Sequence, residues 1–119
     1  MKFQGRKLFL GSGTIELEKP IENVLVVRDR VIVAFQYDSY DDDDPNEERN
    51  VIAVDERGKF LWRIQRTPSA ITDHDGSRMW NAYTGVTLER GGICAYDFDG
   101  ICWKVDPETG EVSEPTFTK

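Results

Sequence analysis

The sequence predicts an all-β chain in which an antiparallel four-strand meander is used twice, with about eight to ten strands in all. Three observations lead there. The stretch from Asn23 to Phe35, NVLVVRDRVIVAF, reads against Thr84 to Tyr96 at a constant offset of 61, which places Val26 on Thr87, Ile32 on Ile93, Ala34 on Ala95 and Phe35 on Tyr96. Further on, VIAVD from Val51 reads against CWKVD from Cys102 at an offset of 51, and both copies close on a glycine turn, at Gly58 and Gly110. Finally, no window of helical length carries apolar residues at i, i+3 and i+4 between capping residues.

In chain order, the two short arms around Gly5 and Arg6 read as a hairpin, and Gly11-Ser12-Gly13 turns into a strand from Thr14 that ends before Pro20, which cannot donate into a ladder. The β-branched runs Val24 to Val27 and Val31 to Phe35 are apolar at consecutive positions, as in strands covered on both faces. Val51 to Val54 and Lys59 to Ile64 supply the third and fourth strands of the first meander. Pro68, Ser69, Thr72, Asp73, Asp75, Gly76 and Ser77 give residues 67–78 the chemistry of a link. The second copy then runs through Met79 to Tyr83, Val86 to Leu88, Ile93 to Asp97, Ile101 to Val105 and Glu111 to Ser113. One domain over 1–119 is expected: N-terminal strands in 1–20, a first repeat in 21–66 with an acidic loop at 38–49, the link, and a second repeat in 79–119.

At 119 residues the chain can bury roughly two thirds of its unfolded surface without disulfide or metal support. No apolar run approaches the ~20 residues that span a bilayer, and the charged N-terminus lacks a secretory apolar region, so a cytoplasmic protein with no membrane contact is expected. Cys94 and Cys102 lie on the two arms of one hairpin and read as reduced core cysteines.

The net charge of −7 arises from 22 acidic and 15 basic residues, and its origin is local. Seven acids, Asp38, Asp41, Asp42, Asp43, Asp44, Glu47 and Glu48, stand together without a base, and setting them aside leaves 15 of each sign. Such a stretch repels nucleic acid and attracts a basic protein. Tyr37 and Tyr40 would add aromatic contact, and a solvated insertion or a weak divalent-ion sink are the plainer uses. The single histidine, His74, sits between Asp73 and Asp75 with no second histidine or thiolate pair to complete a zinc site. Asp97 to Gly100 and Asp73 to Gly76 each resemble half a calcium loop, but the residues between Asp97 and Glu108, its twelfth position, include the strand Ile101 to Val105. Turn chemistry accounts for both, and Trp62, Trp80 and Trp103 read as packing residues.

Four-strand meanders at this period, with a strand pair ending in VDxxG or VDPxTG and a tryptophan close by (Trp62, Trp103), resemble the blades of β-propellers of the quinoprotein and WD-like kind. The resemblance covers about residues 20 to 115 and implies two blades, a standalone half-propeller with too few blades to enclose the quinoprotein cofactor cavity. None of that family's catalytic residues carries over. Small acidic half-propellers also resemble some immunity proteins of contact-dependent growth inhibition systems, which bind and block a secreted nuclease toxin. The expectation is therefore a binding protein without catalytic residues, metal or cofactor, an inhibitor of a basic toxin that acts through Tyr37, Asp38, Tyr40, Asp41 to Asp44, Glu47 and Glu48. The alternatives are a self-associating propeller fragment, whose open edge strands would pair with another copy, and a calcium-dependent or sugar-binding domain using Asp73, His74 and Asp97 to Gly100.

Overall fold

A computed structural model describes residues 3–37, 48–67, 70–72, 78–80, 82–90, 92–98 and 100–113. They contain thirteen strands and no helix, so the all-β expectation holds and the strand count exceeds it. In order these are β1 (Phe3–Gln4), β2 (Lys7–Leu10), β3 (Gly13–Glu16), β4 (Ile21–Val27), β5 (Arg30–Phe35), β6 (Val51–Asp55) and β7 (Phe60–Arg63). There follow β8 (Ala70–Thr72), β9 (Arg78–Trp80), β10 (Tyr83–Glu89), β11 (Gly92–Asp97), β12 (Cys102–Val105) and β13 (Val112–Ser113). Each sheet is an antiparallel meander: β1-β2-β3, β4-β5-β6-β7, β10-β11-β12-β13 and the hairpin β8-β9.

Three of these sheets stack as layers, and the middle one shows why β5 and β6 are apolar on both faces, whereas the run Val24 to Val27, expected to be covered likewise, leaves Val26 48% exposed. Along β5 the side chains alternate between two cores: Ile32 and Ala34 face the third layer with Tyr83, Val86, Ile93 and Ala95, while Val31, Val33 and Phe35 face the first with Leu8. Strand β6 divides the same way, Val51 and Ala53 to one side and Ile52 and Val54 to the other. Both faces are thus removed from water, at roughly 25 cal/mol for each Å² of apolar surface. The N-terminal strands, expected to lie outside the two repeats, supply the layer that covers the second face.

The pairing registers repeat, one residue away from the register predicted above. Val33 opposite Ile52 corresponds to Ala95 opposite Trp103, and Ile21 opposite Phe35 to Tyr83 opposite Asp97, so the first two strands repeat at an offset of 62 and the third at 51. Both copies carry an irregularity at the same place, Ile21/Asn23 and Tyr83/Gly85. The correction inverts the facing of the matched residues, because successive strand residues point to opposite sides. The structural counterparts of Ile32, Ala34, Val51 and Ala53, the middle layer's inner face, are Cys94, Tyr96, Cys102 and Lys104.

The outer face of the third layer is therefore polar where the middle layer is apolar. Tyr96 Oη and Thr87 Oγ1 both donate to Glu89 Oε1, at 2.8 and 2.9 Å, and the Tyr96 bond to Glu89, with burial, raises the Tyr96 pKa. Cys94 and Cys102 are joined by a disulfide across β11 and β12, with Cα atoms 5.5 Å apart, rather than lying reduced in the core. Among the described residues no helix is long and apolar enough to cross a membrane.

Each layer also docks the glycine turn of the next. Ser12 Oγ in the first layer donates to the Glu56 carbonyl at 3.0 Å, and Trp62 Nε1 in the second donates to the Pro107 carbonyl at 2.9 Å. Glu56 and Pro107 are counterparts at the offset of 51. Arg30 reaches the same Pro107 oxygen at 2.9 Å and pairs with Glu108. Gly110, at a φ of 79°, lies so close under Trp62 that an added Cβ would stand 2.5 Å from the ring. Residues 67–78, expected as a link, contain β8 and the start of β9, and Met79 and Trp80 pair with Ile71 and Ala70 rather than joining the second meander.

Candidate functional site

The acidic insertion leaves the middle layer between adjacent strands, after Phe35 and before Val51, where the third layer has only the turn from Asp97 to Cys102. The difference between the offsets, 62 against 51, makes the insertion eleven residues longer than its counterpart. Its base is tied down by Asn50, which is 3% exposed. The Asn50 Nδ2 group donates to the carbonyls of Phe35 at 2.9 Å and Tyr83 at 2.7 Å, and Oδ1 accepts from Tyr83 N–H at 2.9 Å. One amide side chain thereby imitates a strand and joins the middle and third layers at the mouth of the loop.

Asn23 does the same further along β10, donating to the Val86 carbonyl at 2.7 Å and accepting from its N–H at 3.1 Å. Neither asparagine stood out in the sequence. The available signal was a short amide at the border of a β-branched run, where only a special hydrogen-bonding role suits it.

Tyr37 meets Phe98 from the third-layer turn edge to face, with ring centroids 5.3 Å apart and planes at 61°. Phe98 is 55% exposed. Around the pair lies a cleft of about 340 Å³ that Glu22, Gln36, Tyr83 and Thr84 complete. Tyr83 hydroxyl donates to the Gln65 carbonyl at 2.8 Å; burial first, then the Asp97 charge, pushes its pKa above the normal tyrosine value. It is a structural phenol.

Of the predicted partner-binding residues, Tyr37 and Glu48 are described. Asp38, Tyr40, Asp41, Asp42, Asp43, Asp44 and Glu47 lie outside the described residues, as do Asp73, His74, Asp75 and Asp99. Glu48 is 18% exposed and pairs with Arg66, so it acts within the chain. Arg49 next to it donates to the Ile64 carbonyl at 2.8 Å and is received in turn by Arg63, which donates to the Arg49 carbonyl at 3.0 Å and pairs with Glu18. Burial and then the charges of Arg66 and Arg63 lower the Arg49 pKa.

The turn once compared with a calcium loop turns its first carboxylate inward. Asp97 Oδ1 accepts from Ile101 N–H at 3.0 Å and Oδ2 from Trp103 Nε1 at 2.8 Å. Both oxygens thus serve the turn and the tryptophan. Among the described residues no three His, Cys, Asp or Glu side chains gather as a metal site.

A family model for a domain of unknown function, DUF7957, matches residues 1–117. The chain belongs to the DUF7957 family. No curated protein and no solved structure matches it. In this DUF7957 chain the aromatic cleft, the Asn50 clamp and the acidic insertion converge on one end of the layers, where β5 finishes and β6 begins.

Proposed function

We propose that the chain is a non-catalytic protein-binding module, a standalone stack of propeller-like blades that uses the Tyr37–Phe98 rim and the acidic insertion to hold a basic protein. Its most concrete form is an immunity-type inhibitor that covers the active site of a basic toxin such as a nuclease. The observation that carries this reading is the junction of exposed aromatic surface with a single-sign segment. Phe98 and Tyr37 stand at the point where a stretch with seven acids and no base departs. Aromatic anchors supply contact energy at interfaces, and carboxylates steer a basic partner and raise its rate of encounter by ~10 to 10³.

The polar outer face of the third layer favours this over open-ended stacking of copies, since a terminal repeat with a polar face ends an array. Where β7 carries Trp62 to dock the next layer, its counterpart on β13 is Ser113, with no ring to offer. The test is recovery of partners from the native cell lysate at about 50 and about 150 mM salt, with Asp41 to Asp44 all changed to Asn in a second sample. One basic protein held stoichiometrically by the parent and lost or slowed in the variant is the expected result. Equal recovery by both samples would remove the insertion from the interface.

A further inference from the structure

At the other end of the strands, where β5 begins, lies a second cleft of a different character. It has a volume of about 530 Å³ and opens between the first layer and the turns of the middle one. Phe9, Leu10 and Val26 form its apolar walls, Phe9 and Val26 being 39% and 48% exposed, over a floor of the buried Leu8 and Val31. Arg28 and Arg57 also line the cleft. Neither guanidinium is engaged in a hydrogen bond or ion pair among the described residues. The third arginine there, Arg30, is occupied by Asp29, Pro107 and Glu108, and the opposing charge in the lining is Glu56 alone.

The backbone adds a separate sign. Arg28 sits at a φ of 55°, the only left-handed non-glycine conformation among the described residues. For a side chain of that size this conformation costs about 1–2 kcal/mol, and glycine would remove the cost. Residues kept in such strained positions cluster where ligands are held. The cleft on the other side of the Arg28 turn, about 680 Å³, is lined by Arg28 and Lys104 but also by three carboxylates, Asp106, Glu108 and Glu111. Of the two clefts that Arg28 lines, the first carries the excess of positive charge, with Arg28, Arg30 and Arg57 against Glu56, while carboxylates outnumber bases in the second.

We infer that the cleft between the first and middle layers binds a small amphipathic organic anion, its ring or hydrocarbon body against Phe9, Leu10 and Val26 and its sulfonate, carboxylate or phosphate group against Arg28 and Arg57. The volume falls within the roughly 300–1,000 Å³ usual for one such molecule, and apolar walls with a few convergent polar groups are the general form of ligand sites. This site is separate from the aromatic rim, so either can stand without the other.

The test uses two dyes of nearly the same shape, 8-anilinonaphthalene-1-sulfonate and its uncharged relative N-phenyl-1-naphthylamine, titrated into the full chain and followed by fluorescence. Arg28→Gly removes the charge and relieves the backbone, and Arg57→Gln alters an exposed turn, so both variants retain the fold; unchanged urea midpoints check it. The sulfonate binds one to one, and the double variant weakens it about tenfold or more, while the neutral dye changes less than about twofold. Sulfonate affinity unchanged in the double variant would overturn the assignment, as would failure of the parent to bind it or binding at many equal sites. Sedimentation at the same concentrations covers the remaining occupant. A dimer that the sulfonate dissociates would assign the cleft to a second copy and overturn the small-anion assignment.

Discussion

Replacing Asn50 with alanine strips three hydrogen bonds from one buried point. The Tyr83 N–H and carbonyl lose partners at 2.9 and 2.7 Å, and the Phe35 carbonyl loses one at 2.9 Å. Buried polar groups left without partners cost about 1–3 kcal/mol each. Water admitted by the smaller side chain recovers part of that, so the expected loss is about 3–4 kcal/mol out of a total in the range of roughly 5–15 kcal/mol. For a domain of this size that corresponds to a fall in Tm of about 10–15 °C. Equilibrium urea denaturation with thermal melting by circular dichroism reads both quantities. Asn23→Ala, at a part-buried site with two bonds, should lose about 1–2 kcal/mol in the same assay. A loss below about 1 kcal/mol at Asn50 would show that its amide does not join the layers and would refute the account of the loop's anchorage.

Gly110→Ala and Gly100→Ala share nearly the same φ, 79° and 81°, but an added Cβ at the first would press on Trp62 at 2.5 Å while the second meets nothing within 4 Å. Urea midpoints should show about 3 kcal/mol lost at Gly110 against about 1 kcal/mol at Gly100; equal losses would deny the close Trp62 contact. Asp29 and Asp55 have lowered pKa values, the first through its bond to Arg30 and the second through backbone N–H donors from Lys59 and Arg57. A carboxyl depressed in the folded state stabilises above its unfolded value, near 3.8, and that contribution is lost as pH falls through the folded value. Asp29→Asn with Asp55→Asn should therefore flatten the slope of stability against pH below 3.8 and leave neutral pH less stable; an unchanged acid limb would contradict this. Reducing the Cys94–Cys102 bond, which spans a separation of 8 residues, should lower stability by roughly 2–3 kcal/mol, and thiol labelling before and after reduction counts the bonded cysteines.

The strands were legible where composition reports burial. The consecutive apolar residues of Val31 to Phe35 announce a strand covered on both faces, and both cores confirm it. The same continuity hid the phase. With apolar residues at every position, sequence matching aligned Ile32 with Ile93, although the first faces the third layer and the second faces back toward the middle one. The polar counterparts of the inner face, Tyr96 and Lys104, show the true register only once strand pairing is known. β8 escaped notice because it is a short strand among turn formers, and Met79 and Trp80 were given to the second meander, although pairing makes them the partner of β8.

At the candidate site, the acidic stretch was visible as charge and Tyr37 as its flanking aromatic. Phe98 was not, since in sequence it is one residue of a tight turn and becomes a rim residue only because the third layer sets that turn beside Tyr37. Glu48 was grouped with the free acids, whereas Arg66, distant in sequence, captures it. The cleft of Arg28 and Arg57 escaped for the same reason: its walls come from the first layer and its charges from two separate turns of the middle one.

The most direct measurement is site-specific photo-crosslinking in the native cell, with benzoylphenylalanine placed at Phe98 in one sample and at Phe9, at the opposite end of the layers, in another. Capture of a single basic protein from position 98 and not from position 9, lost when Asp41 to Asp44 become Asn, is the predicted result. The same adducts from both positions, or capture at 98 that survives the Asn changes, would contradict a binding surface made of the aromatic rim and the acidic insertion.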